Sequence, residues 1–152
     1  MRLHVIARDT AEQAWAEVRR LLDGLSDEVF SEVQAGPARS ESEGRRRMLA
    51  LRGGGRDRLE VAFNLWAGIG LVRGGAGAAL VGSHSEVTAR IEEHHRLGID
   101  ESVLSGHPHV EEAYWFGEGV PPRLAAAGLR HHPARPARRQ ANAVPFASGT
   151  ET

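Results

Sequence analysis

The chain has 152 residues, 41% of them apolar, and its 19 basic and 20 acidic side chains give a formal net charge of −1. This length suits one domain with a core of its own, and the lack of cysteine excludes disulfides, thiolate metal sites and cysteine nucleophiles. No apolar run approaches the roughly 18 residues of a membrane span, and the balanced charge speaks against a dedicated nucleic-acid binder. The first nine residues are too short and too quickly charged for a secretory signal, so the expectation is a soluble cytoplasmic protein with neither membrane nor nucleic acid as partner. Every basic residue is arginine, which reads as codon bias more than chemistry.

In chain order, residues 3–7 are a short apolar run interrupted by His4, as in a mostly buried strand. Asp9 and Glu12 stand at capping-box spacing. Ala14, Trp15, Val18, Leu21, Leu22 and Leu25 follow at helical spacing, which predicts an amphipathic helix over residues 10–24. Residues 26–63 break the alternation. Two short helices are expected there, the second carrying Arg45, Arg46 and Arg47, and long excursions of this kind are often lids. After the glycines at 74–77, residues 78–82 read as a buried strand, and Ser83 with Glu86 marks a helix start. That helix carries Val87, Ile91 and Leu97, and Gly98 stops it. Residues 102–106 read as another buried strand, followed by His107-Pro108-His109 and a helix from Val110. Beyond Pro121-Pro122 the pattern decays, and residues 128–152 are expected to be a disordered tail. Strand alternating with helix points to a parallel sheet with crossover helices. Three strands alone would leave raw edges and uncovered apolar faces at Val5, Leu80, Val81, Val103 and Leu104.

The glycine-rich stretch from Gly68 to Gly77 does not satisfy a dinucleotide fingerprint, because a strand follows it where a helix is required. Its glycines instead present Arg73, whose fork of donors suits a bidentate oxyanion, with a structural ion pair as the alternative. His107 and His109 directly follow a strand, and with Glu111 and Glu112 they form only a weak metal signal. His4 lies within its strand, where a buried structural histidine is the simplest reading. His94-His95 and His131-His132 are expected to be exposed.

Taken together, several blocks resemble the C-terminal part of the FMNH2-dependent alkanesulfonate monooxygenases, in the bacterial-luciferase-like flavin monooxygenase superfamily. They are Arg2-Leu3-His4-Val5-Ile6, the run from Asn64 to Gly77, Ala79-Leu80-Val81-Gly82, Leu97-Gly98-Ile99-Asp100, and Val103-Leu104-Ser105-Gly106 with Pro108-His109 and Glu111-Glu112-Ala113-Tyr114. The resemblance implies a partial (β/α)8 TIM barrel: the last three β/α units over residues 1–127, with a helical insertion at about 26–63 acting as a lid. It implies reduced FMN, delivered by a separate NAD(P)H-dependent FMN reductase, and O2 as co-substrate. Together these desulfonate an alkanesulfonate to an aldehyde and sulfite. The complete family protein is expected to be a homo-oligomer.

Position by position, the resemblance marks His4, His109 and Arg73 as catalytic, and Arg2, Arg73, His107 and His109 as substrate-binding. No metal is implied. A sulfonate is a permanent anion with three acceptor oxygens, so arginine and histidine donors suit it. The family usually has tyrosine at position 107. A barrel takes about 250 residues and eight strands, so this chain would lack the family's N-terminal half and be inactive alone. A non-catalytic remnant or interaction module is the alternative.

Overall fold

The structure is a computed structural model that describes residues 1–26, 28, 59–73 and 77–129, without the side chain of Arg73. Most of the expected insertion, with its arginine triplet, and nearly all of the expected tail, with His131-His132, lie outside the described residues. The elements are β1 (Arg2–Arg8), α1 (Ala11–Asp23), β2 (Glu60–Ala62), β3 (Leu65–Trp66), α2 (Ile69–Arg73), β4 (Ala79–Ser83), α3 (His84–Arg96), β5 (Val103–Ser105) and α4 (His109–Ala126).

The strands form one five-stranded sheet in the order β2-β3-β4-β1-β5. β1 runs parallel to β4 on one side and to β5 on the other. The chain therefore crosses the sheet in opposite directions, from β1 out to β4 and then back past β1 to β5. Right-handed crossovers travelling in opposite directions place their helices on opposite faces, and the core divides accordingly. Ala14 and Val18 of α1 pack with Ile6, Ala79 and Val81 on one face. Val87 of α3 and Val120 of α4 pack with Val5, Ala7 and Leu80 on the other. Three consecutive barrel units would instead set β4 in the middle with all their helices on one side. The described residues thus form a mixed α/β sheet covered on both faces, and they do not show the sequential strand order of a barrel.

Two strands were not expected from the sequence. β2 and β3 make an antiparallel hairpin through Phe63 and Asn64, and β3 continues antiparallel along β4. Asn64 takes a left-handed φ of 58°, which asparagine tolerates better than most residues. Its Nδ2 donates to the Val81 carbonyl at 2.7 Å and its own carbonyl accepts from Val81 N. The hairpin covers the β4 edge, and the helices bury Val5, Leu80 and Val81. The apolar faces expected to be bare are therefore covered, except at Val103, which remains 48% exposed. β5 is a half-buried edge strand and not the buried strand expected, because it pairs with β1 on one side alone among the described strands. Gly68 lies directly on the buried Trp66 indole, where a Cβ would come within 2.4 Å of the ring.

The helix caps are clear in the structure. Thr10 with Gln13, not Asp9 with Glu12, forms the α1 capping box; the helix begins one residue later than the spacing suggested. Ser83 and Glu86 cap α3 as expected, and Gly98, with φ +87°, follows its end. Pro121 and Pro122 do not end α4, which continues to Ala126. Val120 and Leu124 carry that segment into the core, and the Arg123 side chain donates to the Gly119 carbonyl at 2.5 Å.

Candidate functional site

Arg2, His4 and Ile6 alternate onto one face of β1, as the two-residue strand period requires. Arg2 faces Val103 across the parallel pair and is exposed, and His4 faces Ser105. His4 Nδ1 lies 2.9 Å from Ser105 Oγ and 3.2 Å from the Ser105 carbonyl oxygen. His107 is half-buried in the turn after β5, and the exposed His109 opens α4. Among the described residues, the side chains of Arg2, His107 and His109 make no hydrogen bond. Arg73 closes α2, and its side chain lies outside the described residues. The structure therefore joins His4 to Ser105, a residue the sequence reading did not single out, and among the described side chains no hydrogen bond links Arg2, His107 and His109 to one another.

A second polar assembly sits at the opposite, C-terminal end of β1, and the sequence reading missed it. β5 ends opposite His4, so β1 runs on past its neighbour. Glu112, in the first turn of α4 and 1% exposed, fills the gap. Its Oε1 accepts from Ala7 N at 2.7 Å, and its Oε2 accepts from Arg8 Nη1 at 2.7 Å. Arg8 Nη1 also donates to the Ala7 carbonyl, and its guanidinium lies 5.1 Å from the Trp115 ring centroid. Burial raises the Glu112 carboxyl above its ordinary range, against the opposing pull of the Ala7 amide and Arg8. Gly106 makes the approach possible, since a Cβ there would meet Glu112 Cβ at 2.1 Å.

His84 lies beside this group, with Nδ1 3.5 Å from Asp9 Oδ1 and its ring tilted against Trp115. Its Nε2 is buried without a hydrogen-bond partner among the described residues. On the α1 side, an open cleft of about 380 Å³ is lined by Arg8, Gln13, Ala16, Glu17, Arg20 and Trp115. Glu17 and Arg20 pair bidentately there, at 2.5 and 2.9 Å. The bond from Arg20 lowers the Glu17 pKa, and Glu17 raises that of Arg20.

The signals for this assembly were present but ambiguous. Arg8 follows an apolar run directly, and Glu112 stands in a helix first turn, where acidic residues are common on solvated surfaces. His94, expected to be exposed, is half-buried, and burial together with Arg90 lowers its pKa. Among the described residues, no group of three or more His, Asp or Glu could hold a metal ion, and no helix is long and apolar enough to cross a membrane.

On the His4 face, Arg2 and His4 come before residue 101, whereas Ser105, His107 and His109, like Glu112 and Trp115, lie past it. A family model described as luciferase-like monooxygenase matches residues 1–101 of the 152. The match runs from the start of β1 through α3 and includes Arg2, His4, Arg8, Arg73 and His84. By this match over about two-thirds of its length, the chain belongs to the luciferase-like monooxygenase family.

Proposed function

We propose that this chain carries the C-terminal units of a reduced-FMN-dependent alkanesulfonate monooxygenase, active only together with the other five β/α units of the barrel. The observation that carries the reading is His4, a polar side chain in the middle of a strand, held by Ser105 on the same face as Arg2. A mid-strand histidine kept off the apolar core is a suitable place for proton transfer beside an anion site.

The donor chemistry of Arg2, Arg73, His107 and His109 fits an anion with three terminal oxygens, whether a sulfonate or the phosphate of FMN. The flat isoalloxazine ring needs an apolar slot, which this donor set does not provide, so other residues must hold it. Bound reduced FMN supplies, with O2, the oxidation of the carbon bearing the sulfonate. Arg2 and Arg73 hold the anionic head through guanidinium N–H donors, His107 and His109 add donors at the end of β5, and His4 holds or takes up a proton. An FMN reductase as partner and a homo-oligomeric complete enzyme belong to the same proposal.

Sulfite release from an alkanesulfonate tests it, with reductase, NADPH and FMN present. The 152-residue chain alone is expected to release none. Mixed with a segment carrying the other five β/α units, it should turn over, and His4→Ala should lower kcat by about 10²-fold or more, the usual range for a lost acid–base group. The sheet order favours a second reading, a non-catalytic module of the family, since β5 occupies the β1 edge that a preceding barrel strand would need. Absence of sulfite from a stable complex of the two segments would decide for that module.

A further inference from the structure

The helices that follow the neighbouring strands β1 and β5 leave the sheet on opposite faces: α1 packs on the Ile6 face and α4 on the Val5 face. Where the connections of parallel strands diverge in this way, the crevice at their carboxyl ends is where open α/β sheets take ligands. Here β5 stops opposite His4 while β1 continues to Arg8. The cleft of about 380 Å³ lined by Arg8, Trp115 and one side of α1 lies at that end of β1, and its size is within the roughly 300–1,000 Å³ of small-molecule pockets. The Arg8 side chain in its wall is only 7% exposed. Among the described residues, all of its hydrogen bonds come from Nη1, to the Ala7 carbonyl and to Glu112 Oε2. Nε and Nη2 make none, although buried donors normally find an acceptor. These two nitrogens share one edge of the planar guanidinium, an edge that holds a carboxylate through two parallel bonds. Glu17, the acidic residue of the cleft, does not close it, because both of its carboxylate oxygens accept from Arg20.

We propose that this cleft binds a small carboxylate carried on a flat ring, gripped by the Nε–Nη2 edge of Arg8 with the ring against Trp115. Two coplanar oxygens match the guanidinium fork. Glu112 and the Ala7 carbonyl hold that fork in place from its other end, so little freedom is lost on binding. The indole lies beside the cation, 5.1 Å from ring centroid to guanidinium carbon, and Ala16 of α1 adds a second apolar surface. A flat ring stacks on an indole better than a branched aliphatic body does. A sulfonate suits the edge less well, since its third oxygen lies out of the plane of the other two, beside the carboxylates of Glu17 and Glu112. None of these residues belongs to the group assigned to the sulfonate, so the site stands apart from the proposed function.

The test is an NMR titration of the ¹⁵N-labelled 152-residue chain with benzoate at constant ionic strength, read at the indole N–H signals of its three tryptophans. The Trp115 signal, identified by its loss in Trp115→Phe, should move along a single-site saturation curve while those of Trp15 and Trp66 stay in place. Benzamide keeps the ring without the charge and should bind about tenfold to hundredfold more weakly, the usual worth of charge-assisted hydrogen bonds. Benzenesulfonate should also bind more weakly than benzoate. Ala16→Leu, at an exposed helix position, narrows the cleft without touching the Arg8–Glu112 pair and should remove the shift at the same benzoate concentrations. Arg8→Lys keeps the charge but not the fork and should bind benzoate about tenfold more weakly; if that variant does not fold, Ala16→Leu decides. No saturable shift with benzoate overturns the proposal, as does benzamide or benzenesulfonate binding as tightly as benzoate, or full binding by folded Ala16→Leu. No flavin or alkanesulfonate enters the measurement, so its failure leaves the proposed function untouched.

Discussion

Glu112 offers the sharpest test of how α4 is fastened to β1. Removing a carboxylate from water costs several kcal/mol, and an ion partner often fails to recover all of it. Here the carboxyl stays above its ordinary value of 4.5 despite Arg8 and the Ala7 amide. The folded state therefore favours the neutral carboxyl, and the expectation to be tested is that the oxygen receiving Ala7 N–H contributes more to stability than the charge paired with Arg8. Glu112→Gln keeps such an oxygen and nearly the same volume, so it should cost about 1 kcal/mol or less. Glu112→Ala leaves a buried amide without its acceptor, about 1–3 kcal/mol, and removes about one packed methylene, a further ~0.8 kcal/mol. The expected total of about 2–4 kcal/mol corresponds to a fall in Tm of roughly 10–25 °C for a small domain. Urea and thermal unfolding from pH 4 to pH 8 measure both variants. Because the folded pKa is raised, the carboxyl's contribution is complete below its unfolded value and is lost as pH rises through the folded one. The gap between wild type and Glu112→Ala should accordingly narrow with rising pH. A gap that widens instead, with Glu112→Gln as damaging as Glu112→Ala at pH 7, would mean that the ion pair holds the helix and that this reasoning is wrong.

Thr10→Ala should lower stability by about 1 kcal/mol through loss of the α1 cap, while Asp9→Ala, outside the capping box, should change the urea midpoint much less. Burial depresses the His94 pKa below 6.5, so its contribution is present above pH 6.5 and is lost as pH falls through the folded value. His94→Gln should flatten that limb of a Tm-against-pH curve. Cysteines placed at Leu3 and Leu104, register partners in β1 and β5, should form a disulfide in the otherwise cysteine-free chain, whereas failure to cross-link under oxidation would contradict the strand order. In a complemented enzyme, Arg73→Ala should lower kcat/KM for sulfite release about tenfold to hundredfold, and Arg73→Lys should recover little of it.

Where local chemistry decides the structure, the sequence was readable. The apolar run before Arg8, the spacing from Ala14 to Leu22, and the Ser83–Glu86 box each correspond to the element they suggested. The β2–β3 hairpin was not readable, because strands of three and two residues are too short to show alternation. Its only local mark is Asn64 at the turn. Sheet order was hidden for a different reason: periodicity states which face of a strand is buried and says nothing about its neighbour. Glu112 was hidden by its ordinary surroundings in sequence. What buries it is the absence of a side chain at Gly106 and the early end of β5, both of which act only once the chain is folded. The same holds for Ser105, whose partner lies 101 residues away.

β1 ties these observations together, because its two ends are finished by the same neighbour in different ways. Along Arg2 to His4, β5 pairs with it strand to strand, and that register brings the Ser105 carbonyl to His4. Beyond His4 the edge of β1 would be left with an unpaired amide at Ala7, and an unpaired buried amide is rare in folded proteins. α4 turns back at Pro108 and supplies a carboxylate in place of the missing strand. A longer β5 would pair Ala7 and make Glu112 superfluous, whereas a shorter one would release His4 from Ser105. Three residues of strand followed by a helix whose fourth residue is glutamate satisfy both ends at once. The region from Val103 to Glu112 therefore acts as one unit: what fastens α4 also fixes the strand that orients His4. Loosening of the Glu112 anchor should reach the histidine through β5, although the carboxylate and the imidazole share no contact.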